Sequence, residues 1–283
     1  MTTQELERDP ADLVALLDLE QIDTLIFRAE QPDDPRQELF GGQVIAQALK
    51  AVSLTVEPGR PVHSLHAFFL LRGDPREPIV FLVEPIRDGR SYTTRTVIAR
   101  QGGTDIFEMT ASFHVPEEGL THEPTPPPGL VDGTPRIPRA EQLTPTGWVR
   151  GFRHPVTITP VPAAGDDHRP VRDVWARSAM PLPDDPIAHA CAIAYSTDLT
   201  LLPTALVPHG LTAGSGDVVM ASIDHSMWFH RPVRADQWLL HHTESPIAGG
   251  GRTLTRSEIY DVEGTLVAST AQEGVLRLPR KRS

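Results

Sequence analysis

The sequence repeats itself at a nearly constant offset, and this constrains the fold more than any other feature. Two dipeptides return 162 positions later (225 − 63 and 251 − 89), and two return 161 positions later (255 − 94 and 264 − 103). The pairs are His63-Ser64 with His225-Ser226, Gly89-Arg90 with Gly251-Arg252, Thr94-Arg95 with Thr255-Arg256, and Gly103-Thr104 with Gly264-Thr265. The shared order and spacing indicate an internal duplication, so the chain should contain two copies of one structural unit.

Each copy combines one long helix with several strands. Residues 43–54 carry apolar side chains at helical spacing, which predicts a helix with one face in the core. Residues 63–115 alternate β-branched and aromatic runs with turn signals, the pattern of an antiparallel meander. In the second copy the helix is predicted at residues 185–202, and residues 211–218 form a longer connection. The expected fold class is α+β, with two repeats of a long helix packed on an antiparallel sheet.

The chain outside these units is predicted to hold two short elements and a linker. An amphipathic helix should begin at Asp9-Pro10 and end at Leu19, and residues 24–28 should form a strand. Many of the 28 prolines fall between positions 115 and 185, which favours connecting chain there. The predicted division is an N-terminal unit at 1–115, a Pro-rich linker at 116–150 and a C-terminal unit at 151–283.

Charge and composition argue against several classes of function. A net charge of -11 disfavours general nucleic-acid binding, which depends on neutralising phosphates, although a small polyanionic ligand needs only a local basic patch. The N-terminus lacks a signal-peptide pattern, and no apolar run approaches the roughly 18 residues of a membrane span, so neither secretion nor a membrane partner is expected. One cysteine, Cys191, cannot form an intramolecular disulfide, so the cytoplasm is the expected location.

Asp198 is the clearest chemical anomaly in the sequence. It falls within the apolar face of the second predicted helix, a face formed by Ile187, Cys191, Ala194, Tyr195 and Leu202. An ionised carboxylate in such a place costs several kcal/mol unless hydrogen bonds or charges compensate it. Asp198 is therefore either a functional group with partners or a residue that orders the helix end before Pro203.

Residues 221–232 contain a contiguous Asp224-His225-Ser226. As one continuous strand, this segment places Ser222 and Asp224 on one side and His225 on the other, so the three contiguous residues cannot act as a triad. The odd spacing of His225 and His230 puts them on opposite faces, so no metal site is expected. We interpret His225 as a hydrogen-bonded strand histidine.

Gln272 is a polar residue among small ones on the last predicted strand, residues 264–278, which suggests space beside it for substrate or water. The alternative is an amide satisfied by backbone at a strand end. Cys191 has no evident activating base and is interpreted as packing. The sequence has no Gly-x-Ser-x-Gly elbow, phosphate-binding glycine loop or His-Glu-x-x-His motif.

Several motifs together resemble the type II acyl-CoA thioesterases, the TesB family. They are Leu39-Phe40-Gly41-Gly42-Gln43, residues 16–22, Asp198-Leu199, Leu202-Pro203, Pro208-His209-Gly210, residues 223–232 and residues 268–274. The resemblance covers nearly the whole chain except the linker, and the long aromatic motif at 223–232 is the most specific part. It implies a double hotdog fold, which agrees with the duplication.

The resemblance also implies a reaction and a site. The family hydrolyses acyl-CoA by means of an Asp, a Thr or Ser hydroxyl and a Gln that hold and polarise water. Matched by motif, these residues are Asp198, Ser222 and Gln272, with Ser222 where many members have threonine. No cofactor is expected, acyl-CoA is the expected partner, and hotdog sheets usually pair, so a homo-oligomer (dimer or tetramer) is expected.

Four points stay open from the sequence alone. Asp224, two residues from Ser222, is a rival carboxylate for its hydroxyl. The repeat offsets place Arg60 opposite Ser222 and Ala111 opposite Gln272, so the first half is predicted to have lost the site. The helix N-terminus at Gly41-Gly42 is a candidate oxyanion site for direct attack by water. The alternative functions are enoyl-CoA hydration and noncatalytic acyl-CoA binding.

Overall fold

The computed structural model describes residues 12–31, 38–127, 130, 148–149, 152–161 and 169–279. The helices are α1 Leu13–Leu16, α2 Gly41–Ser53 and α3 Pro186–Thr200, and a 3₁₀ helix, Leu202–His209, follows α3. The strands are β1 Glu20–Asp23, β2 Ile26–Ala29, β3 Val62–Phe69, β4 Ile79–Asp88, β5 Tyr92–Gln101, β6 Thr104–His114, β7 Trp148–Val149, β8 Phe152–Arg153, β9 Val156–Pro160, β10 Val171–Ser178, β11 Val219–Ser222, β12 Asp224–Phe229, β13 Leu239–Gly249, β14 Arg252–Tyr260 and β15 Leu266–Arg277.

The strand order confirms the duplication. Within the described residues, thirteen strands form one sheet in the order β1-β2-β4-β5-β6-β3-β12-β15-β14-β13-β10-β9, with β11 paired to β15. The order β4-β5-β6-β3 of the first half is mirrored by β12-β15-β14-β13 in the second. The halves join where β3 and β12 pair antiparallel, from Asp224 opposite Phe68 to Trp228 opposite Ser64. Every pair in this sheet is antiparallel, so the strands that follow each other as neighbours, such as β4, β5 and β6, need only short turns, whereas the long helices lie in the longer connections.

The two long helices pack against each other and against the sheet. Ile45, Ala48, Leu49 and Val52 of α2 are fully buried, as the periodicity of residues 43–54 predicts. At the start of α3, the side chain of Asp185 caps the helix by accepting from the N–H of Ile187 at 3.1 Å, and Pro186 occupies the first turn. Each half is thus a long helix lying across an antiparallel sheet, and the predicted double hotdog is correct.

The core of the second half is unusually polar. Buried polar side chains lie on α3 and on the strands of this half, namely Thr197, Thr200, His225, His241, Thr243, Thr253, Thr255, Ser257, Thr270 and Gln272. Most of these hydroxyls are hydrogen-bonded: Thr243 donates to Ser257 at 3.0 Å, and Thr255 donates to the carbonyl of Gln272 at 3.2 Å. Burying so many polar groups is tolerable because most of them are paired; among the described residues, Nδ1 of His225, Nε2 of His241 and Oε1 of Gln272 are buried without a hydrogen-bond partner.

Two predicted elements near the N-terminus have different bounds. Helix α1 begins after Asp12, whose carboxylate accepts from the N–H of Val14 at 2.9 Å, and it ends at Leu16 rather than at the predicted Leu19. Residues 9–11 of that prediction lie outside the described residues. The predicted strand 24–28 lies at Ile26–Ala29, because residues 24–25 form the turn between β1 and β2. The apolar stripe of Leu13 and Leu16 is buried as predicted.

One helical segment contradicts the prediction that no apolar run approaches the length of a membrane span. Residues Pro186–His209, which are α3 and the 3₁₀ helix, are long enough and apolar enough to meet the criteria for a membrane span. However, 78% of the relevant window is buried inside the fold, where it packs on the sheet. Such burial is typical of a core helix, and several of its buried side chains are hydroxyls that bond within the protein.

The predicted linker at 116–150 lies largely outside the described residues. Its described part, 116–127 and 130, contains neither helix nor strand, and residues 148–149 form the short strand β7. The boundaries at 115 and 150 remain predictions.

Candidate active site

Asp198 lies in the last turn of α3 and brings the three predicted site residues together. Its Oδ1 atom accepts from the hydroxyl of Ser222 at 2.9 Å and from Nε2 of Gln272 at 2.8 Å. Its Oδ2 atom accepts from the backbone N–H of Gly42 at 2.9 Å. Three donors therefore surround one carboxyl group, which is the environment of an ionised carboxylate.

Neighbouring strands place the hydroxyl and the amide. Ser222 is the last residue of β11 and pairs with Gly274, two residues beyond Gln272 on β15. Gln272 is fully buried, whereas Asp198 and Ser222 are partly exposed, so solvent reaches the site from the side of the carboxylate and the hydroxyl. Apolar side chains border it, since a Cβ built at Gly41 would lie 2.8 Å from the ring of Phe69, and one at Gly274 would lie 2.5 Å from Leu202.

The contact with α2 was missed by sequence reasoning. Helix α2 has Phe40 as its N-cap residue, and that residue makes no side-chain cap bond; Asp198, 156 residues away in sequence, accepts from an N–H of the first turn instead. A Cβ at Gly41 would lie 2.8 Å from Oδ2 of Asp198, and one at Gly42 would lie 2.5 Å from the carbonyl oxygen of Tyr195. The Gly41-Gly42 pair is the sequence signal for this close approach. In this structure the N–H of Gly42 donates to the Asp198 carboxylate. This N–H is therefore already used at the Gly41-Gly42 end that was predicted as a candidate oxyanion site.

The predicted continuous strand over residues 221–232 is wrong. It breaks at Ile223, between β11 and β12, so the alternation of faces restarts there. Ser222 faces Asp198 on the helix side, while Asp224 accepts from the N–H of Glu273 at 2.7 Å. Burial raises the pKa of Asp224, and the Glu273 N–H opposes the shift. Because the single proton of Ser222 points to Asp198, Asp224 is not its carboxylate partner.

The corresponding place in the first half is filled. Ala111 pairs with Arg95, as Gln272 pairs with Thr255, so Arg95 occupies the position of Thr255. Arg95 is buried and its guanidinium donates to Asp88 at 2.7 Å and to the carbonyl of Thr55 at 3.1 Å. In the structure Arg95 is therefore equivalent to Thr255 and not to Arg256, its match in the repeated dipeptide. Arg256 itself is exposed.

Arg60, placed opposite Ser222 by the repeat offset, donates to the carbonyl of Gly89 at 2.9 Å and to the hydroxyl of Thr93 at 3.1 Å. It serves the local structure of the first half. With Ala111 in place of the amide, the prediction that this half keeps the scaffold without the site agrees with these contacts.

Other titratable groups beneath α3 are buried and neutral. Desolvation lowers the pKa of His225 to about 4, against a smaller opposing effect of the Asp198 charge, and lowers that of His241 to about 3. Burial raises the pKa of the Cys191 thiol far above its ordinary range, so the thiol is inert packing as interpreted. Among the residues that the structure describes, no group of three or more His, Cys, Asp or Glu could hold a metal ion.

These two histidines predict a loss of stability in acid. Each is protonated near pH 6.5 when unfolded but only near pH 4 or below when folded, so its contribution is complete above pH 6.5 and falls as the pH drops. Between pH 6.5 and 4 we expect the free energy of unfolding to fall by on the order of 3 kcal/mol per ring. His242 acts in the opposite direction, because its hydrogen bond to Asp173 raises its pKa.

Urea denaturation over this pH range measures the slope. His241→Asn keeps a polar atom near Thr200, which lies 3.0 Å from Nδ1 of His241, but cannot be protonated, so it should flatten the slope. An unchanged slope in that variant would assign the acid sensitivity to other groups.

Comparison with known proteins gives consistent relatives over the full fold. The acyl-CoA thioesterase family model matches residues 149–275, and the model of the acyl-CoA thioesterase N-terminal domain matches residues 31–114. Acyl-CoA thioesterase 2 of Haemophilus influenzae is 36% identical over 284 residues, 94% of this chain and 97% of the relative. Acyl-coenzyme A thioesterase 8 of Homo sapiens is 36% identical over 293 residues, 95% of this chain and 91% of the relative.

A solved structure agrees with the sequence relatives. Acyl-CoA thioesterase II TesB2 from Mycobacterium marinum has a TM-score of 0.80 and 42% identity, over 94% of this chain and 98% of that one. Because these matches span nearly the whole chain and share its duplicated hotdog fold, the chain belongs to the TesB-like, type II acyl-CoA thioesterase family and is a thioester hydrolase.

Proposed function

We propose that this thioesterase hydrolyses fatty acyl-CoA to a free fatty acid and coenzyme A, with a water molecule activated by Asp198, Ser222 and Gln272. The observation that carries the proposal is the convergence of the Ser222 hydroxyl and the Gln272 amide on one oxygen of Asp198, at 2.9 and 2.8 Å. These contacts fix the orientation of the Asp198 carboxylate. The carboxylate is partly exposed, and of the three groups it is the one that can take a proton from water.

The chemistry requires no covalent enzyme intermediate. A thioester carbonyl is electrophilic and a thiolate is a good leaving group, so a positioned water is a sufficient nucleophile. Its oxygen attacks the carbonyl carbon while Asp198 takes its proton. The tetrahedral intermediate then collapses, the carbon–sulfur bond breaks, and the thiolate of coenzyme A leaves with the proton returned by Asp198.

The N-terminal end of α2 supports the same reaction electrostatically. A helix N-terminus carries a partial positive charge from its unpaired N–H groups, and this end lies against Asp198. It stabilises the carboxylate before the reaction. As the proton moves to Asp198 and negative charge develops on the carbonyl oxygen, the same dipole favours the new charge.

The fatty nature of the acyl group is supported by the side chains at the border of the site. Phe69 packs closely on Gly41 and is itself partly exposed, which leaves apolar surface next to the carboxylate. An apolar chain gains free energy by covering such surface, whereas a polar acyl group does not.

Release of free thiol from acyl-CoA esters, from acetyl-CoA to palmitoyl-CoA, tests the proposal directly. The protein should release thiol and favour the longer chains. Loss of the enoyl absorbance of an unsaturated ester without thiol release would favour hydration instead. Tight binding without turnover, unaffected by Asp198→Asn, would favour a noncatalytic binding protein.

Ser222 offers a graded test of the site. Ser222→Ala removes one donor to Asp198 and should lower kcat by about 10- to 100-fold, within the range for one lost active-site hydrogen bond. Ser222→Thr keeps the hydroxyl and should retain most of the activity. The kcat of thiol release measures both, and equal losses in the two variants would contradict a role for the hydroxyl.

A further inference from the structure

His225 lies where the three elements of the site meet. Its ring is fully buried on β12, and Nε2 is 3.1 Å from the hydroxyl oxygen of Thr197 on α3 and 3.2 Å from that of Thr270 on β15. One ring atom therefore contacts both the catalytic helix and the strand that carries Gln272.

The hydrogen-bond network assigns the proton on this ring. The hydroxyl of Thr197 donates to the carbonyl of Ala194 at 2.9 Å, and that of Thr270 donates to the carbonyl of Ser226 at 2.9 Å. A hydroxyl has one proton, so both oxygens can only accept from His225. Nε2–H is thus the donor, shared between the two threonines, and the neutral ring carries its lone pair on Nδ1.

Each contact lies next to a residue of the site. Thr197 directly precedes Asp198, so fixing its side chain fixes the rotation of the last turn of α3. Thr270 is two residues before Gln272 and its side chain points to the same buried face. His225 itself follows Ser222 by three residues, just beyond the break at Ile223.

We infer that His225 is a positioning residue, whose Nε2–H holds Thr197 and Thr270 together and so sets the distance from Asp198 to Gln272. The inference rests on the proposed function. A misplacement of about 1 Å at a reacting group can cost on the order of 100-fold in rate, so a shared donor of this kind affects turnover without touching substrate.

His241 provides a matched comparison. It is also fully buried beneath α3, and its Nδ1 is 3.0 Å from the hydroxyl of Thr200, two residues beyond Asp198. Thr200 lies three residues after Thr197, on the same face of α3, but His241 belongs to β13, so this bond ties α3 to β13 and not to β15, which carries Gln272. Loss of His241 removes a similar buried bond without changing the link to Gln272.

The experiment compares kcat and KM for thiol release by the full chain, together with the free energy of unfolding. His225→Leu should lower kcat at least about tenfold with KM within about twofold, because substrate binding is untouched. His225→Gln presents an amide N–H near the Nε2 position and should recover most of kcat. His241→Leu should lose comparable stability but keep kcat within about twofold of the wild type.

Thr270→Val repeats the test if His225→Leu does not fold, since it removes one acceptor and keeps the shape; its kcat should fall with KM unchanged. If the wild type is active and kcat is unchanged in His225→Leu, the inference about His225 is overturned and the proposed function is not. An unchanged kcat in Thr270→Val has the same meaning if His225→Leu does not fold. Equal loss of kcat in His225→Leu and His241→Leu, or no recovery in His225→Gln, would also overturn it. A wild type inactive on every ester would overturn the proposed function and the inference together.

Discussion

Asp198→Asn is expected to lower kcat for thiol release by about 10²- to 10⁴-fold, the range for loss of a general base. The substitution removes the negative charge that accepts the proton of water. It also leaves one acceptor oxygen where two were used. The new NH₂ group must then face another donor, either the N–H of Gly42 or the hydroxyl of Ser222 and the amide of Gln272. Steady-state kinetics and circular dichroism together separate loss of chemistry from loss of fold.

Asp224→Asn is the matched control for this variant. Asp224 is close in sequence to Ser222 but bonds the N–H of Glu273, a contact that an amide oxygen can keep. Its kcat should stay within a few-fold of the wild type. If Asp224→Asn were the more damaging of the two, the carboxylate role would have to move from Asp198 to Asp224.

Gly42→Ala is expected to impair both stability and turnover. The added Cβ would lie 2.5 Å from the backbone oxygen of Tyr195, inside α3, and that oxygen cannot move without the helix. The helices must therefore separate, which costs about 1–3 kcal/mol in an already packed core. The separation also draws the N–H of Gly42 away from Asp198, so kcat should fall on the order of 100-fold.

Gly119→Ala is the control, because a Cβ at Gly119 meets no atom within 4 Å. Thermal unfolding and kcat of both variants decide the outcome. A Gly42→Ala protein with unchanged kcat would show that the contact between α2 and Asp198 has no part in turnover.

The repeats and periodicities of the sequence were sufficient to predict the layout of the fold. The offset of His63-Ser64 from His225-Ser226 predicted two units, and the alternation around Gln272 placed that amide on one face with small residues, a face that the structure shows to be buried from Ala268 to Gly274. Asp198 was found because a carboxylate on an apolar helix face needs compensation. These inferences succeed because they depend on residues near in sequence or on a repeated pattern.

The features that the sequence did not predict depend on contacts between segments that are distant in sequence. The bond from Gly42 to Asp198 depends on how the two helices cross, which no local pattern reports. The break at Ile223 reverses the face of Ser222, yet no glycine or proline marks it. Arg95 matched Arg256 by identity, but pairing with Ala111 turned it inward, where Thr55 and Asp88 satisfy its charge.

The hydrogen bond between Gly42 and Asp198 can form only late in the synthesis of the chain. The ribosome finishes the first helix long before it reaches the carboxylate that completes the helix end, since 156 residues separate them. At roughly 5–20 residues per second, the nascent first half waits many seconds with that end uncapped. Under the proposed function, a growing chain should therefore be inert until its last strand, which carries the glutamine, has left the exit tunnel.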